Sequence, residues 1–428
     1  MHRKQFVILV YGCLTASMAF LAGCLAGEEP LPPHEALARA AARIEAILTE
    51  ERTLHPAGPP AEQARTPQDA GKVTFWYCTH PVYGALLLQP GVLAEFNADH
   101  KGVTLSPQYI GDWYVAVQKL VVTLAAGDAP DVALVNRAWL GRLANAGLIA
   151  ELDALLPEAF IEDVRNPSRD ALTLDGRLYA LPADGYCSVL FYNRKRVPGN
   201  PPATWADLQQ LARELAAAAA GSSGSVYAIG DMPFMESLWS AGGYVCDERT
   251  CGLDTPEARE ALDFILTLRD ERLAHPWALG DPERAFDLFL AGDVAMTVAS
   301  SDHMRRAAKA PFAVGIAPVP GKSGPVSRLS DNVLVVFRKH VEAKRAALTE
   351  VLAFLTGPVL LQGAALGEGS VPTRFSLAQE APAPSELERA YQLARATPLI
   401  ASWSAVEFEL ARYLDLAYRY KPSAPSAE

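Results

Sequence analysis

The chain has 428 residues, half of them apolar, and a formal net charge of −11. That length allows two or three domains with ample core, and the apolar share excludes a disordered chain. The acidic balance argues against a nucleic-acid or anionic-lipid binder.

His2, Arg3 and Lys4 precede an apolar run from Phe6 to Phe20. This run is short for a membrane span but suits the apolar region of a secretion signal. Leu21-Ala22-Gly23-Cys24 closes it with small residues and a cysteine. The ending resembles the lipobox of bacterial lipoproteins, in which the cysteine is lipidated and the chain is cut just before it. The resemblance implies a signal peptide over 1–23 and an extracytoplasmic protein anchored to a membrane through lipid on Cys24. Residues 24–71 are rich in proline and read as a tether with one helix, from His34 to Arg52. Leu37, Ala41, Ile44 and Leu48 form an apolar stripe on it. Packing on the chain's own domain, a stiff spacer, and a contact with another protein are all compatible with that stripe.

From Lys72 strands alternate with helices, the pattern of a mainly parallel sheet. Val73 to Tyr77, Val103 to Ile110 and Asp131 to Val135 read as strands. Leu86 to Asn97, Asp112 to Ala126 and Trp139 to Ala146 read as helices, Gly127 stopping the second. A second block starts near Tyr186. Ser188 to Tyr192 is strand-like, Thr204-Trp205-Ala206-Asp207 starts a helix, and Thr255-Pro256-Glu257 caps another. A helix over Glu283 to Ala291 ends at Gly292, and Val294 to Ala299 is a strand. Ser330 to Arg338 returns to a strand, Ala343 to Thr356 is helical, and so is the chain from Ser385.

Of six cysteines, the lipobox resemblance puts Cys13 in the signal and the expected lipid on Cys24. Cys246 and Cys251 flank a tight polar turn and are predicted to form a disulfide. Cys78 and Cys187 are far apart in sequence, which leaves their pairing open. No Cys-x-x-Cys or histidine cluster points to a metal. Gly315 to Ser323 ends like a phosphate loop, but its glycine spacing is wrong and two prolines remove amide donors. Gly-x-Ser-x-Gly and His-Glu-x-x-His are absent. Neither catalysis nor a cofactor is expected. Aromatic and polar residues do gather after the first strands: His80, Tyr83, Trp113, Tyr114 and Asn136. Open α/β sheets bind ligands at strand carboxyl ends, and aromatic rings beside planar hydrogen-bonding groups suit a sugar.

Ordered segments across the chain are similar to one family. Val73-Thr74-Phe75-Trp76-Tyr77, Gly127-Asp128-Ala129-Pro130-Asp131-Val132, Asp175 to Pro182, Leu190-Phe191-Tyr192-Asn193, Ala291 to Met296 and Gly369 to Arg374 follow one another as in the extracellular solute-binding proteins of ABC importers. The group they resemble includes maltose- and glycerol-phosphate-binding proteins. The resemblance implies an α/β fold of two lobes, each a mainly parallel sheet flanked by helices, joined by crossovers. One lobe is expected over 72–184 and 328–366, the other over 185–327 and 367–428. Carried over by position, the ligand contacts fall on Thr79, His80, Trp113, Asn136 and Arg137, with Cys78 beside them. Asp184 and Tyr186 follow at the crossover, then Trp239, Ser301, Asp302, Asp331, Asn332, Arg374 and Trp403. Many members carry Gly-Ser-Trp where this chain reads Ser300-Ser301-Asp302-His303, an acid in place of a stacking ring. The implied function is capture of a sugar by a monomer and its delivery to an ABC permease. The alternatives are a cationic solute such as a polyamine, or a glycan-processing enzyme using Asp184, Asp302 and Asp331.

Overall fold

The computed structural model describes residues 28–53, 70–78, 83, 87, 89, 91–219, 227–276, 278–330, 332–339, 341–360 and 369–421. The predictions for Cys24, Thr79, His80 and Asp331 lie outside the described residues, as does the side chain of Tyr114.

The first lobe is built on a five-stranded sheet. Its strands are β1 (Lys72–Tyr77), β2 (Thr104–Tyr109), β3 (Val132–Asn136), β4 (Leu181–Pro182) and, from much later in the chain, β10 (Asn332–Val336). The spatial order is β2-β1-β3-β10-β4. Helices α2 (Val92–Asp99) and α3 (Trp113–Ala126) flank it. Asp112 caps α3 by accepting the Val115 N–H, and Gly127 ends it at φ 76°, a conformation glycine adopts without strain.

The second lobe is a four-stranded sheet of order β8-β5-β7-β6. Its strands are β5 (Ser188–Asn193), β6 (Tyr227–Ile229), β7 (Val294–Ser300) and β8 (Val314–Ala317). Short β9 (Ser327–Arg328) pairs with β11 (Ala394–Arg395) outside it. Around it stand α4 (Trp205–Ala219), α5 (Phe234–Ser240), α6 (Pro256–Asp270) and α7 (Pro282–Ala291). Helix α8 (Val341–Leu355) returns to the first lobe. α9 (Phe375–Glu380), α10 (Ser385–Gln392) and α11 (Trp403–Arg419) complete the chain.

Neither sheet is as parallel as expected. β1 runs parallel to β2 and β3, but β10 is antiparallel to β3 and β4, and β5 is antiparallel to β7 and β8. β5 is the first sheet strand after the crossing into the second lobe, and β10 is the return strand. Neither is laid down by a helix crossover from its neighbour, the connection that parallel pairing requires.

In the first lobe Lys344 of α8 places Nζ 2.8 and 2.9 Å from the two oxygens of Asp131 and donates to the Lys72 carbonyl at 2.6 Å. The Thr74 N–H and hydroxyl both donate to the same carboxylate at 2.8 Å. Every charge in this buried group has a partner, which is what makes its burial tolerable.

Helix α1 (Pro33–Thr53) belongs to the second core. Leu37, Ala41, Ile44 and Leu48, the predicted stripe, are all buried there with Val406 and Leu410 of α11. The stripe is therefore occupied within the chain, and the reading as a contact for another protein falls away. Arg412 of α11 clamps Glu28 with four bonds of 2.8 to 3.2 Å, and the Leu31 N–H donates to the Leu416 carbonyl.

Candidate ligand site

The crossings between the lobes lie side by side. The Val371 N–H donates to the Gly185 carbonyl at 3.0 Å, and the Gly185 N–H donates to Ser370 Oγ at 2.9 Å. Asp184 accepts the Asn332 N–H at 3.1 Å and its Nδ2 at 2.6 Å, and the Ser330 N–H donates to the Tyr186 carbonyl. The approach is too close for side chains. A Cβ on Gly185 would sit 2.4 Å from the Val371 oxygen, and one on Gly369 would sit 1.8 Å from the Ser301 oxygen.

Beside this joint the second lobe opens into a cavity of about 510 Å³. Ser188 begins β5 and Ser300 ends β7, in direct register, and both line it. The turn after β6 supplies Asp231, the following helix α5 supplies Glu236, and β9 supplies Arg328. α11 contributes Ala411, Leu414, Asp415 and Tyr418, which fall on one helical face.

The deepest charged groups are strongly perturbed. Asp231, only 5% exposed, accepts the Gly280 N–H at 3.0 Å. Burial pushes its carboxyl up to about 7, with the Glu236 charge adding to the effect and the amide bonds opposing it. Glu236 is fully buried, and its Oε1 lies 3.3 Å from Arg328 Nε. Burial works against charge on Arg328, but the surrounding Glu236, Glu407 and Asp231 outweigh it and hold its pKa up. Burial, with Asp231 nearby, keeps the Tyr418 phenol protonated.

At the rim the His303 ring nitrogens lie 2.9 Å from Asp302 Oδ1 and 3.0 Å from Glu283 Oε1. Burial disfavours an imidazolium here. The Asp302 hydrogen bond and the charges of Asp302 and Glu283 prevail, so the His303 pKa is raised. Arg306 extends the chain of charge to Glu283 at 2.9 Å and Asp287 at 2.5 Å. Among the described residues no group of His, Cys, Asp and Glu is arranged to hold a metal ion.

Of the predicted contacts, Asp302 lines this cavity. Ser301 next to it is buried, donating to the Gly369 carbonyl at 2.6 Å and accepting the Cys187 N–H at 3.2 Å, so it ties the strand end to the joint. Asp184, Tyr186 and Asn332 also belong to the joint. Asn136 is exposed and caps the turn after β3 by accepting the Ala138 N–H. Arg137 is buried and donates to the Ala171 carbonyl and to Thr397 Oγ1.

Several expectations need correcting. Trp403 is 1% exposed and lies in the second core with Val406 and Leu410, so its ring cannot stack on a solute. Trp239 is 7% exposed on the packed face of α5, with the Arg395 guanidinium 5.5 Å from its ring centroid. Trp113 is different: it is only partly buried where it packs against the first core, so its expected contact with a solute is not contradicted. Arg374 is committed to Asp163 at 2.8 Å and lies over the Phe160 ring at 4.2 Å. The expected disulfide is not contradicted either: Cys246 and Cys251 face each other across an antiparallel bridge, with the two thiols not joined in the structure. Cys78 and Cys187 are both buried and are not joined to each other.

Sequence reading passed over Asp231, Glu236, Arg328 and Tyr418. Asp231 and Glu236 follow β6, a strand of only three residues. The usable signal was Ile229-Gly230-Asp231, an apolar segment ending in glycine and an acid.

The family model for bacterial extracellular solute-binding proteins matches residues 86–359, more than half of the chain. A putative binding protein of Brucella abortus is 29% identical over 225 residues, 48% of this chain, and the chain spans about half of that relative's length, 53%. The maltotriose-binding protein of Pyrococcus abyssi is 25% identical over 315 residues, 71% of this chain and 66% of its own. Among solved structures, maltose-bound MalE3 of T. maritima superposes with a TM-score of 0.65 at 24% identity, covering 81% of this chain and 94% of that one. The fold is thus the two-lobed one of sugar-binding receptors, and the chain belongs to the bacterial extracellular solute-binding protein family.

Proposed function

We propose that this protein captures a carbohydrate between its two lobes outside the cytoplasm and delivers it to an ABC permease, performing no chemistry. In this reading lipid on Cys24 anchors it to a membrane and it acts as a monomer. The lobes run over 72–184 with 328–366, and over 185–327 with 367–428. The observation that carries the reading is the cavity of about 510 Å³ at the strand ends of the second lobe, directly beside the joint. Its volume is that of a small-molecule site, and its carboxylate and hydroxyl groups suit a polyhydroxylated solute. A solute that touches both lobes only when they close shifts the population toward the closed form, and that difference in affinity is the whole mechanism. The relatives named for maltotriose and maltose support a carbohydrate.

A thermal-shift panel of mono- and oligosaccharides, sugar phosphates and polyamines tests this, because a solute bound only to the folded state raises the melting temperature. Stabilisation by at least one sugar is expected. A panel in which no sugar stabilises the protein would remove the carbohydrate reading. Loss of detergent partitioning in Cys24→Ser tests the anchor separately.

A further inference from the structure

The cavity is lined by six carboxyl groups, against one guanidinium and one imidazole. Four of the carboxyls stand at its rim and already have partners. Asp302 and Glu283 share His303, and Glu283 also holds Arg306. Asp281 caps α7 by accepting the Arg284 N–H at 3.0 Å, and Asp415 accepts from Arg419 at 2.8 Å. The remaining two, Asp231 and Glu236, are the buried ones.

Among the described residues that line the cavity, Arg328 is the one guanidinium facing this pair, and Glu407 of α11 draws on the same group. Three carboxyl groups thus draw on Arg328, and Arg137 acts on Glu407 as well. The Arg328 guanidinium reaches one oxygen of Glu236 at a long 3.3 Å. The other, Oε2, is buried without any hydrogen-bond partner among the described residues. A buried carboxylate oxygen left unpaired costs more than almost any other polar group. A hydroxyl donor would satisfy Oε2 but add no positive charge to the guanidinium that these carboxyls share. An ammonium does both, through a charge-assisted bond.

We propose that the solute is an amino sugar whose protonated amino group docks against Glu236 Oε2 beside Asp231. The proposal rests on the carbohydrate reading above. The elevated pKa of Asp231 agrees with it, since a carboxyl buried without a counter-charge keeps its proton. A cation arriving beside it favours the ionised carboxyl, so binding near pH 7, where that carboxyl is about half protonated, releases a fraction of a proton to the buffer.

Matched pairs of solute decide the matter with the full chain in detergent. Glucosamine is compared with glucose, and the disaccharide of two glucosamine units with cellobiose, by isothermal titration at low and high salt. Spermidine is titrated alongside. The amino member is expected to bind at least tenfold tighter than its hydroxyl counterpart. The advantage should shrink with salt, and buffers of different ionisation enthalpy should reveal proton release. Glu236→Gln should abolish the advantage while the melting transition persists. The proposal is overturned if the hydroxyl member binds as tightly as the amine, in which case the carbohydrate reading survives alone. It is equally overturned if folded Glu236→Gln keeps the preference, or if neither the amino sugars nor spermidine bind. Binding of spermidine but of no sugar would overturn the amino-sugar proposal together with the carbohydrate reading. The wild-type comparison needs no variant, so a Glu236→Gln protein that fails to fold does not shelter the idea.

Discussion

Glu51, in the last turn of α1, sits on the N-terminus of α11, its Oε2 accepting the backbone N–H of Ser402 at 3.1 Å. Its Oε1 accepts the neighbouring Ala401 N–H at 3.0 Å. A carboxylate from one helix thus accepts from the N-cap amide of another and from the amide just before it, at the positive end of that second helix's dipole. Because the other face of α11 lines the cavity, α1 holds part of the site's wall in place.

Removing that cap should be measurable. Glu51→Ala is expected to cost about 1–2 kcal/mol, the usual loss for a helix N-cap. Leu48→Ala removes a side chain buried between helices and should cost about 2–5 kcal/mol. Urea denaturation checks both. Unchanged midpoints would mean that α1 is a spacer lying loosely on the lobe.

Trp403→Ala should destabilise by about 3–5 kcal/mol, as expected for emptying a fully packed aromatic site. Trp403→Phe, which refills most of that volume, should recover most of the loss. Solute affinity of the folded Trp403→Phe protein should match wild type. A folded, stable Trp403→Ala protein that bound poorly would restore the stacking role.

The contrast between Trp403 and Asp302 shows what was legible. Strands β1, β3, β5 and β7 are apolar runs with clear stops, and Thr255 and Gly292 mark helix ends by their own chemistry. Asp302, just beyond such a strand, is expected among the ligand contacts because the family resemblance carries over onto a well-marked strand, and it does line the cavity. Trp403 could not be placed in this way, because α11 uses one face against α1 and another against the cavity, and spacing alone does not say which face a residue near its start serves. Arg374 finds its partner Asp163 only through folding. β6 is too short to stand out beside an alanine- and glycine-rich stretch, and Asp231 and Glu236 were lost with it.

Asp231 makes stability depend on pH in a definite direction. Its carboxyl titrates near 4 when unfolded and at about 7 in the folded protein. Between those values the folded state holds the extra proton, so stability falls as pH rises through that window and levels off above it. The loss is up to about 4 kcal/mol, from about 1.4 kcal/mol for each pKa unit. His303 adds a second decline in the same direction. Its raised pKa gives stability that is full below the ordinary imidazole value and is lost as pH rises through the folded one. Asp231→Asn should flatten the acid-side decline and leave the His303 part intact. Melting curves from pH 4 to 8 check this, and an unchanged slope in Asp231→Asn would show that the proton sits elsewhere.

Cys246 and Cys251 supply the remaining test. The Gly252 N–H donates to the Val245 carbonyl at 2.9 Å, and the Asp247 N–H to the Thr250 carbonyl at 3.0 Å. These bonds flank the two cysteines and make them a non-hydrogen-bonded pair, the closer kind, with Cα atoms about 4.5 Å apart. That spacing lies within the range a disulfide spans. Burial pushes the Cys246 thiol up to about 12 and the Cys251 thiol to about 11. At neutral pH scarcely any thiolate is present to attack, so uncatalysed oxidation of the folded protein should be slow. Protein exported through an oxidising compartment should nonetheless carry the bridge, because there it forms before the loop is packed. The short loop limits its contribution to about 2–3 kcal/mol. Intact mass before and after reduction, on exported and on cytoplasmically made protein, separates the cases. A mass difference of two hydrogens is expected in the first and none in the second. Free thiols in both would show that the close approach of Cys246 and Cys251 serves packing alone.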